Sequence, residues 1–293
     1  MYAAVDQIAD RRLTTAAVCA ALELSRAAYY AWRSDPPSTH AARDAELEPL
    51  VRTIFWRHRR RYGARRIASE LGDLGQPCSP RRVAKLLKNQ GLRAQQPKSF
   101  QPRTTDSRHR LGYSPNLLLE APPPTRLDQL WVGDITYVPL VGGSFCYLAM
   151  LMDRVSRAIV GWRVAESMDD ELTRGVLQQA IARRQPRAGL IHHTDRGGQY
   201  ASTRYRSMLR RAGFRQSMSR ADDCYDNAFM ESCFGTIKTE LEMTEYQDCR
   251  AARRELAEYV SYYLHDRKHS SLGYLTPSQA ERLLLAGHPL PHH

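Results

Sequence analysis

Three acidic residues stand out by their surroundings. Asp134 lies inside the run Trp131-Val132-Gly133-Asp134-Ile135-Thr136-Tyr137-Val138, a strand interior where a charge is costly unless paired or bound to a cation. Asp195 directly follows the apolar stretch Gly189 to Thr194 and precedes the turn Arg196-Gly197-Gly198, so it sits at a strand's C-terminal edge. That is a common functional position in α/β sheets. Glu231 falls on a helix predicted from Tyr225 to Leu241. At roughly 100° per residue, Asn227, Glu231 and Lys238 lie within about 40° of one another on one face. Moving a phosphodiester requires an activated oxygen nucleophile, a stabilised leaving oxygen and relief of charge on phosphorus. Two divalent ions about 4 Å apart supply all three. Carboxylate oxygens suit magnesium, and manganese as a substitute.

Spacing alone does not single these residues out. Asp195 and Glu231 are separated by 35 residues, but so are Asp10 and Glu46, and Asp222 and Glu258. Context separates the first pair, because only it comes with a third acid embedded in a strand. From context, a metal site and a structural role both stay open.

The elements that must position these acids follow from periodicity. Leu130 to Leu140, Ser144 to Met152 and Ala158 to Ala165 read as three strands joined by short turns, Gly142-Gly143 among them. A helix follows over about Asp170 to Arg184, then a strand over Gly189 to Thr194, a helix over Thr203 to Ala212 and a strand over Phe214 to Met218. After the Glu231 helix come two more, about Cys249 to Asp266 and Pro277 to Ala286, the last with Thr276 and Gln279 as a capping box. This order predicts an α/β fold, a mixed sheet with helices on its faces.

Upstream the texture is helical and basic. Thr15 is expected to cap a helix from Ala16 to Leu22, and Ser25 a second from Arg26 to Arg33, a weak helix-turn-helix pattern within residues 1–37. A longer helix is expected from Ala42 to Arg60. Ala64 to Leu74 and the Ser79-capped helix Arg81 to Gln90 form a better helix-turn-helix candidate within 38–95. Arg65, Arg66, Arg81, Arg82, Lys85 and Lys88 are its candidate DNA contacts. Residues 96–125 are rich in Pro and Arg and read as a linker, with an ordered arm across a neighbouring domain as the alternative; the region 126–288 holds the three acids.

The charge distribution points the same way. The chain of 293 residues carries a formal +12, with 21 basic against 11 acidic residues in 1–125 and 22 against 20 beyond. Between Val51 and Arg110 the count is 16 to 3, the footprint of a polyanion partner, a solvated basic surface or an acidic lipid face. Nothing approaches an uninterrupted membrane-length apolar run or a signal peptide, so a cytoplasmic location is expected, at the nucleoid when DNA is bound. Six scattered cysteines lack zinc spacing and read as reduced apolar residues. His192-His193 and the pair His265 and His269 likewise read as strand and surface histidines rather than ligands.

Taken together, the motifs resemble the insertion-sequence transposases whose second reading frame encodes an integrase-like core of the Asp-Asp-Glu class. The resemblance covers nearly the whole sequence. It is carried by Trp131 to Tyr137, by Asp153-Arg154-Val155-Ser156-Arg157 with Ile159-Val160-Gly161-Trp162, and by His192 to Tyr200. Ser217 to Arg220, Asp226-Asn227-Ala228 with Glu231-Ser232, and His269-Ser270 with Leu272-Gly273-Tyr274 complete it. It implies a ribonuclease-H-like core with a five-stranded mixed sheet and a catalytic, metal-binding triad of Asp134, Asp195 and Glu231 holding two Mg2+ ions. A basic residue seven positions after the glutamate is also implied, and Lys238 stands there. DNA is the implied partner, with a homo-oligomer on it and, through the missing heptad zipper, the element's first-reading-frame product. Tyr225 stands where Trp is usual in the family and Gly133 where Thr is frequent. A ribonuclease-H-like nuclease and a non-catalytic helix-turn-helix protein are the competing readings.

Overall fold

The computed structural model describes residues 2–9, 13–34, 38–96, 112–220, 228–242 and 245–291. The chain begins with α1 (Tyr2–Ala9), α2 (Thr15–Ala21) and α3 (Arg26–Ser34). Val5, Val18, Cys19 and Tyr29 form a small core among them. Thr14, not Thr15, caps α2, its side chain accepting from Ala17 N–H. Either threonine supplies the needed oxygen, and the turn chooses the one with extended backbone.

The next helix, α4 (Thr39–Arg57), starts three residues before the expected Ala42 because Ser38 caps it. It also ends earlier than Arg60. His58 closes it, and Arg59 and Arg60 take left-handed backbone with φ of 49° and 63°. α5 (Ala64–Asp73) and α6 (Pro80–Asn89) follow, the latter capped by Ser79 with Pro80 at its first turn. Leu47, Val51, Ile54, Phe55, Tyr62, Ile67 and Leu71 pack with Val83, Leu86 and Leu87 into one core.

The expected mixed sheet forms from β1 (Leu130–Pro139), β2 (Phe145–Asp153), β3 (Ile159–Ala165), β4 (Ile191–Thr194) and β5 (Arg215–Met218), in the order β3-β2-β1-β4-β5. The first three strands are an antiparallel meander, while β4 lies parallel to β1, and β5 parallel to β4. Gly142 and Gly143, at φ 86° and 79°, make the tight β1–β2 turn that residues with side chains rarely adopt. β4 is shorter than expected, since Gly189 at φ 95° turns the chain before pairing begins.

Alternation along β1 divides two cores. Val132 and Val138 face α10 (Ala228–Glu240) and α11 (Cys249–His265), whose Met230, Phe234, Ile237, Leu256 and Tyr259 join that core. Trp131 faces the other side, toward α7 (Asp170–Arg184), α8 (Gly198–Ala201) and α9 (Thr203–Arg211). β3 lies close against α7, and a Cβ added to Gly161 would stand 2.7 Å from the Val176 carbonyl oxygen. A last helix, α12 (Pro277–Leu285), carries the predicted capping box.

Part of the segment before the sheet is ordered against it. Ser114 Oγ donates to Gln216 Oε1 at 2.9 Å, Met218 N–H donates to the Pro115 carbonyl at 3.4 Å and Leu117 N–H to Ser217 Oγ at 2.9 Å. Residues 114–117 therefore cover the edge of β5, satisfying groups that an open edge would expose. Five cysteines among the described residues are free thiols, and four of them are buried.

Candidate active site

The register of the sheet brings two of the acids side by side. Leu130, Trp131 and Val132 of β1 lie opposite Ile191, His192 and His193 of the parallel β4. Continued two residues further, this register sets Asp134 level with Asp195, the residue directly after β4. Both stand at the mouth where β4 ends and the chain turns away. Asp134 shares its face with Val132 and Val138, the face covered by α10, which carries Glu231 and Lys238.

Local hydrogen bonds aim the two aspartates. Asp134 Oδ1 accepts the Ile135 N–H at 2.8 Å, and Asp195 Oδ1 accepts the Gly197 N–H at 3.0 Å. A Cβ at Gly197 would come within 3.1 Å of that same Asp195 oxygen, so a glycine keeps the turn clear. Behind Asp195, the buried His193 ring meets Ser217 Oγ at 2.8 Å and Ser219 Oγ at 3.2 Å. His192, also buried, meets Tyr205 Oη at 2.6 Å. Both histidines are strand residues as expected, and both are fully buried. Of the other pair, His265 is exposed while His269 is buried beside Tyr263 and Arg267.

Electrostatics ties the site together. Loss of hydration holds the Asp134 carboxyl well above the usual carboxylate range, and repulsion from Asp195 and then Glu231 pushes it further. The Ile135 N–H and Lys238 oppose this only in part. Burial lowers Lys238, with Asp134 acting against the shift. Tyr200 is pushed up by burial first, then by Asp134, Tyr205 and Asp195. Tyr200, Ser217 and Ser219 stand among the resemblance motifs but were given no place in the site from sequence; the Ser217-Met218-Ser219 alternation was the available signal.

The acids are neighbours rather than a closed cage. Among the described residues no three His, Cys, Asp or Glu side chains gather tightly enough to enclose an ion. The donor set is nonetheless all carboxylate oxygen, and its unrelieved mutual repulsion is what a hard divalent cation would relieve. Asn227 and Tyr225 lie outside the described residues. Gly133 has a local reason: a Cβ there would stand 2.5 Å from Leu151 Cδ2 and 3.2 Å from His192 Cε1. Those side chains fill the space that a threonine would need.

The candidate DNA contacts divide. Arg65, Arg81, Lys85 and Lys88 are exposed on α5 and α6, while Arg82 and Lys85 reach Asp44 at 3.0 and 3.2 Å. Arg66 does not share that surface. Its guanidinium reaches Glu240 Oε1 at 3.4 Å and lies over the Tyr62 ring, in the contact between the helical region and the sheet domain.

An "Integrase core domain" family matches residues 124–224, a second of the same description matches 212–277, and an "HTH-like domain" matches 42–100. The chain is 38% identical over 274 residues to the transposase InsF for insertion sequence IS3A of Escherichia coli (strain K12), covering 92% of this chain and 94% of that one. It belongs to the insertion-sequence transposases.

A 31 kDa protein of insertion element IS600 from Shigella sonnei is also 38% identical, over 89% of this transposase and 96% of that protein. A simian T-cell lymphotropic virus intasome, solved with a phosphatase regulatory subunit, aligns over 83% of the transposase and 78% of its chain, at 15% identity and a TM-score of 0.46. The transposase is an enzyme of the integrase-core class, with its helix-turn-helix-like region ahead of the sheet. Among the described residues no helix is long and apolar enough to cross a membrane.

Proposed function

We propose that the transposase cuts the ends of an insertion sequence and joins them to a second DNA site, with Asp134, Asp195 and Glu231 as its catalytic triad. One observation carries the reading. Asp134 on β1 and Asp195 just past the parallel β4 face a helix bearing Glu231 and Lys238, and the charges of Asp195, Glu231 and Lys238 are all felt at Asp134.

The carboxylates suit two magnesium ions, with manganese able to substitute. Asp134, Asp195 and Glu231 would hold them. Bound divalent cations supply Lewis acidity and relief of charge at the scissile phosphate. The protein's own groups do the rest. The Ile135 and Gly197 amides fix one oxygen of each aspartate. Lys238 offers positive charge to the DNA phosphate beside the reacting bond, and Asn227 orients DNA or Glu231. Water attacks the phosphodiester at the element end, breaking its P–O3′ bond so that a 3′-hydroxyl leaves. That hydroxyl then attacks a target phosphodiester in line, forming a new ester as the target's own 3′-oxygen leaves with a proton.

The region 38–95 is the proposed DNA-reading part, through Arg65, Arg81, Arg82, Lys85 and Lys88. Assembly as a homo-oligomer on DNA, with the element's first-reading-frame product as a further partner, completes the proposal for a cytoplasmic enzyme. Strand transfer on element-end DNA with Asp195→Asn tests the triad. Loss of product by at least a thousandfold is expected, and undiminished product overturns the assignment.

A further inference from the structure

The helical region and the active-site helix meet at one buried cluster. Glu240, the last residue of α10, is 6% exposed, and its carboxylate accepts both Nε (2.9 Å) and Nη2 (2.7 Å) of the equally buried Arg267. Tyr259 Oη donates to the same carboxylate at 2.9 Å. From the other side, Arg61 donates its Nε–H to the Glu240 backbone carbonyl at 2.9 Å, its guanidinium lying over the rings of Tyr259 and Tyr262. A helix C-terminus leaves carbonyls without donors and carries partial negative charge, so a buried arginine there satisfies both. Arg61 comes from the loop between α4 and α5, 179 residues away in the chain.

The geometry points to a positioning role: Arg61, Glu240 and Arg267 hold α10 in place against the helix-turn-helix-like region, and through it set Glu231 and Lys238 against Asp134. Glu240 stands two residues after Lys238 and nine after Glu231 on one continuous helix. A helix is stiff over such a length, about 14 Å, so a shift or tilt at its anchored end moves the acid at the other. A loosened anchor leaves the three carboxylates unchanged but their spacing unset. The inference rests on the triad reading above.

The test uses the full chain with Mn2+ alone as probe, its binding followed by electron paramagnetic resonance. Arg61→Met removes the cap while leaving the ion pair, and the joint variant Glu240→Gln with Arg267→Gln removes both buried charges together. Each is expected to weaken Mn2+ binding about tenfold, with Arg61→Lys restoring it, while the thermal unfolding midpoint of Arg61→Met stays within a few degrees. Strand transfer with these variants should recover partly at high Mn2+, which a mere loss of folded protein would not allow. Mn2+ affinity within twofold of the parent in folded Arg61→Met overturns the inference, and that single variant decides it where the joint variant fails to fold. Asp195→Asn is the control. Mn2+ binding undiminished in Asp195→Asn overturns the triad reading itself, whereas loss there with no loss in Arg61→Met overturns only the positioning role.

Discussion

The hydroxyl of Tyr62 accepts the backbone N–H of Lys268 at 2.7 Å and donates to the carbonyl of Asp266 at 2.7 Å. One fully buried phenol thus joins the helical region to the loop after α11. Its ring stacks on His58, with centroids 3.7 Å apart.

Replacing Tyr62 with Phe keeps the ring and leaves a buried donor and acceptor unpaired. The expected cost is about 1–3 kcal/mol of stability. Denaturant unfolding read by the fluorescence of Trp56 and Trp131 measures it, and an unchanged midpoint contradicts the assignment.

His58 makes the same contact sensitive to acid. Burial lowers its pKa to about 4, assisted by Arg57, Arg61, Lys268 and Arg66, while Tyr262 Oη meets Nδ1 at 3.1 Å and Glu70 Oε1 lies 3.9 Å from Nε2. The unfolded chain takes up the proton near pH 6.5 and the folded chain only near 4. Stability contributed by neutral His58 is therefore complete above pH 6.5 and lost as pH falls toward 4, with a ceiling of about 3 kcal/mol. His58→Gln is expected to flatten unfolding free energy against pH across that window. An equally steep profile in the variant would place the titration elsewhere.

Asp134 costs the fold stability when it is ionised. Its carboxyl is raised by burial and by Asp195 and Glu231, so the ionised form strains the folded state as pH rises above the carboxylate range. Asp134→Asn is expected to raise stability in the absence of divalent ions, because it removes the buried, repelled charge. The same change abolishes strand transfer and the thermal stabilisation that Mg2+ gives the parent. Calorimetry with and without Mg2+ reads both, and an equal Mg2+ effect in the two proteins refutes the prediction.

Salt dependence separates the arginines of the helical region. Arg81→Ala and Lys88→Ala remove exposed charges from α6, and each is expected to lower the slope of log affinity against log salt by about 0.9 on duplex DNA. Arg66→Ala is expected to leave that slope alone and to lower stability instead, because Arg66 is spent on Glu240 and Tyr62. A slope change for Arg66→Ala matching that of Lys88→Ala would return it to the DNA surface.

Much of the site was legible in the sequence because its cues are local. Apolar alternation marks β1, a short apolar run ended by Arg196-Gly197-Gly198 marks β4, and helical spacing puts Glu231 and Lys238 on one face of α10. Helix starts were legible to within one to three residues. Thr14 and Thr15 offer the same oxygen, and Ser38 competes with positions closer to Ala42. The local rules name the chemistry of a helix start more sharply than its position.

The basic run at the end of α4 was not legible in this way. Arg57-His58-Arg59-Arg60-Arg61-Tyr62 falls within the basic stretch from Val51 to Arg110, yet His58, Arg61 and Tyr62 are buried against the sheet domain. The same six letters serve as either a DNA surface or a docking seam, depending on what meets them. What meets them is Glu240, Tyr262 and Lys268, some 180 to 206 residues further along. The sequence by itself determined the family and the strand and helix order, and singled out the three acids as candidates, because periodicity and motif are written within a few turns of chain. Only the tertiary structure decided which basic residues turn inward and that Asp134 stands level with Asp195. Burial and strand register are properties of pairs distant in sequence, and no local pattern encodes them.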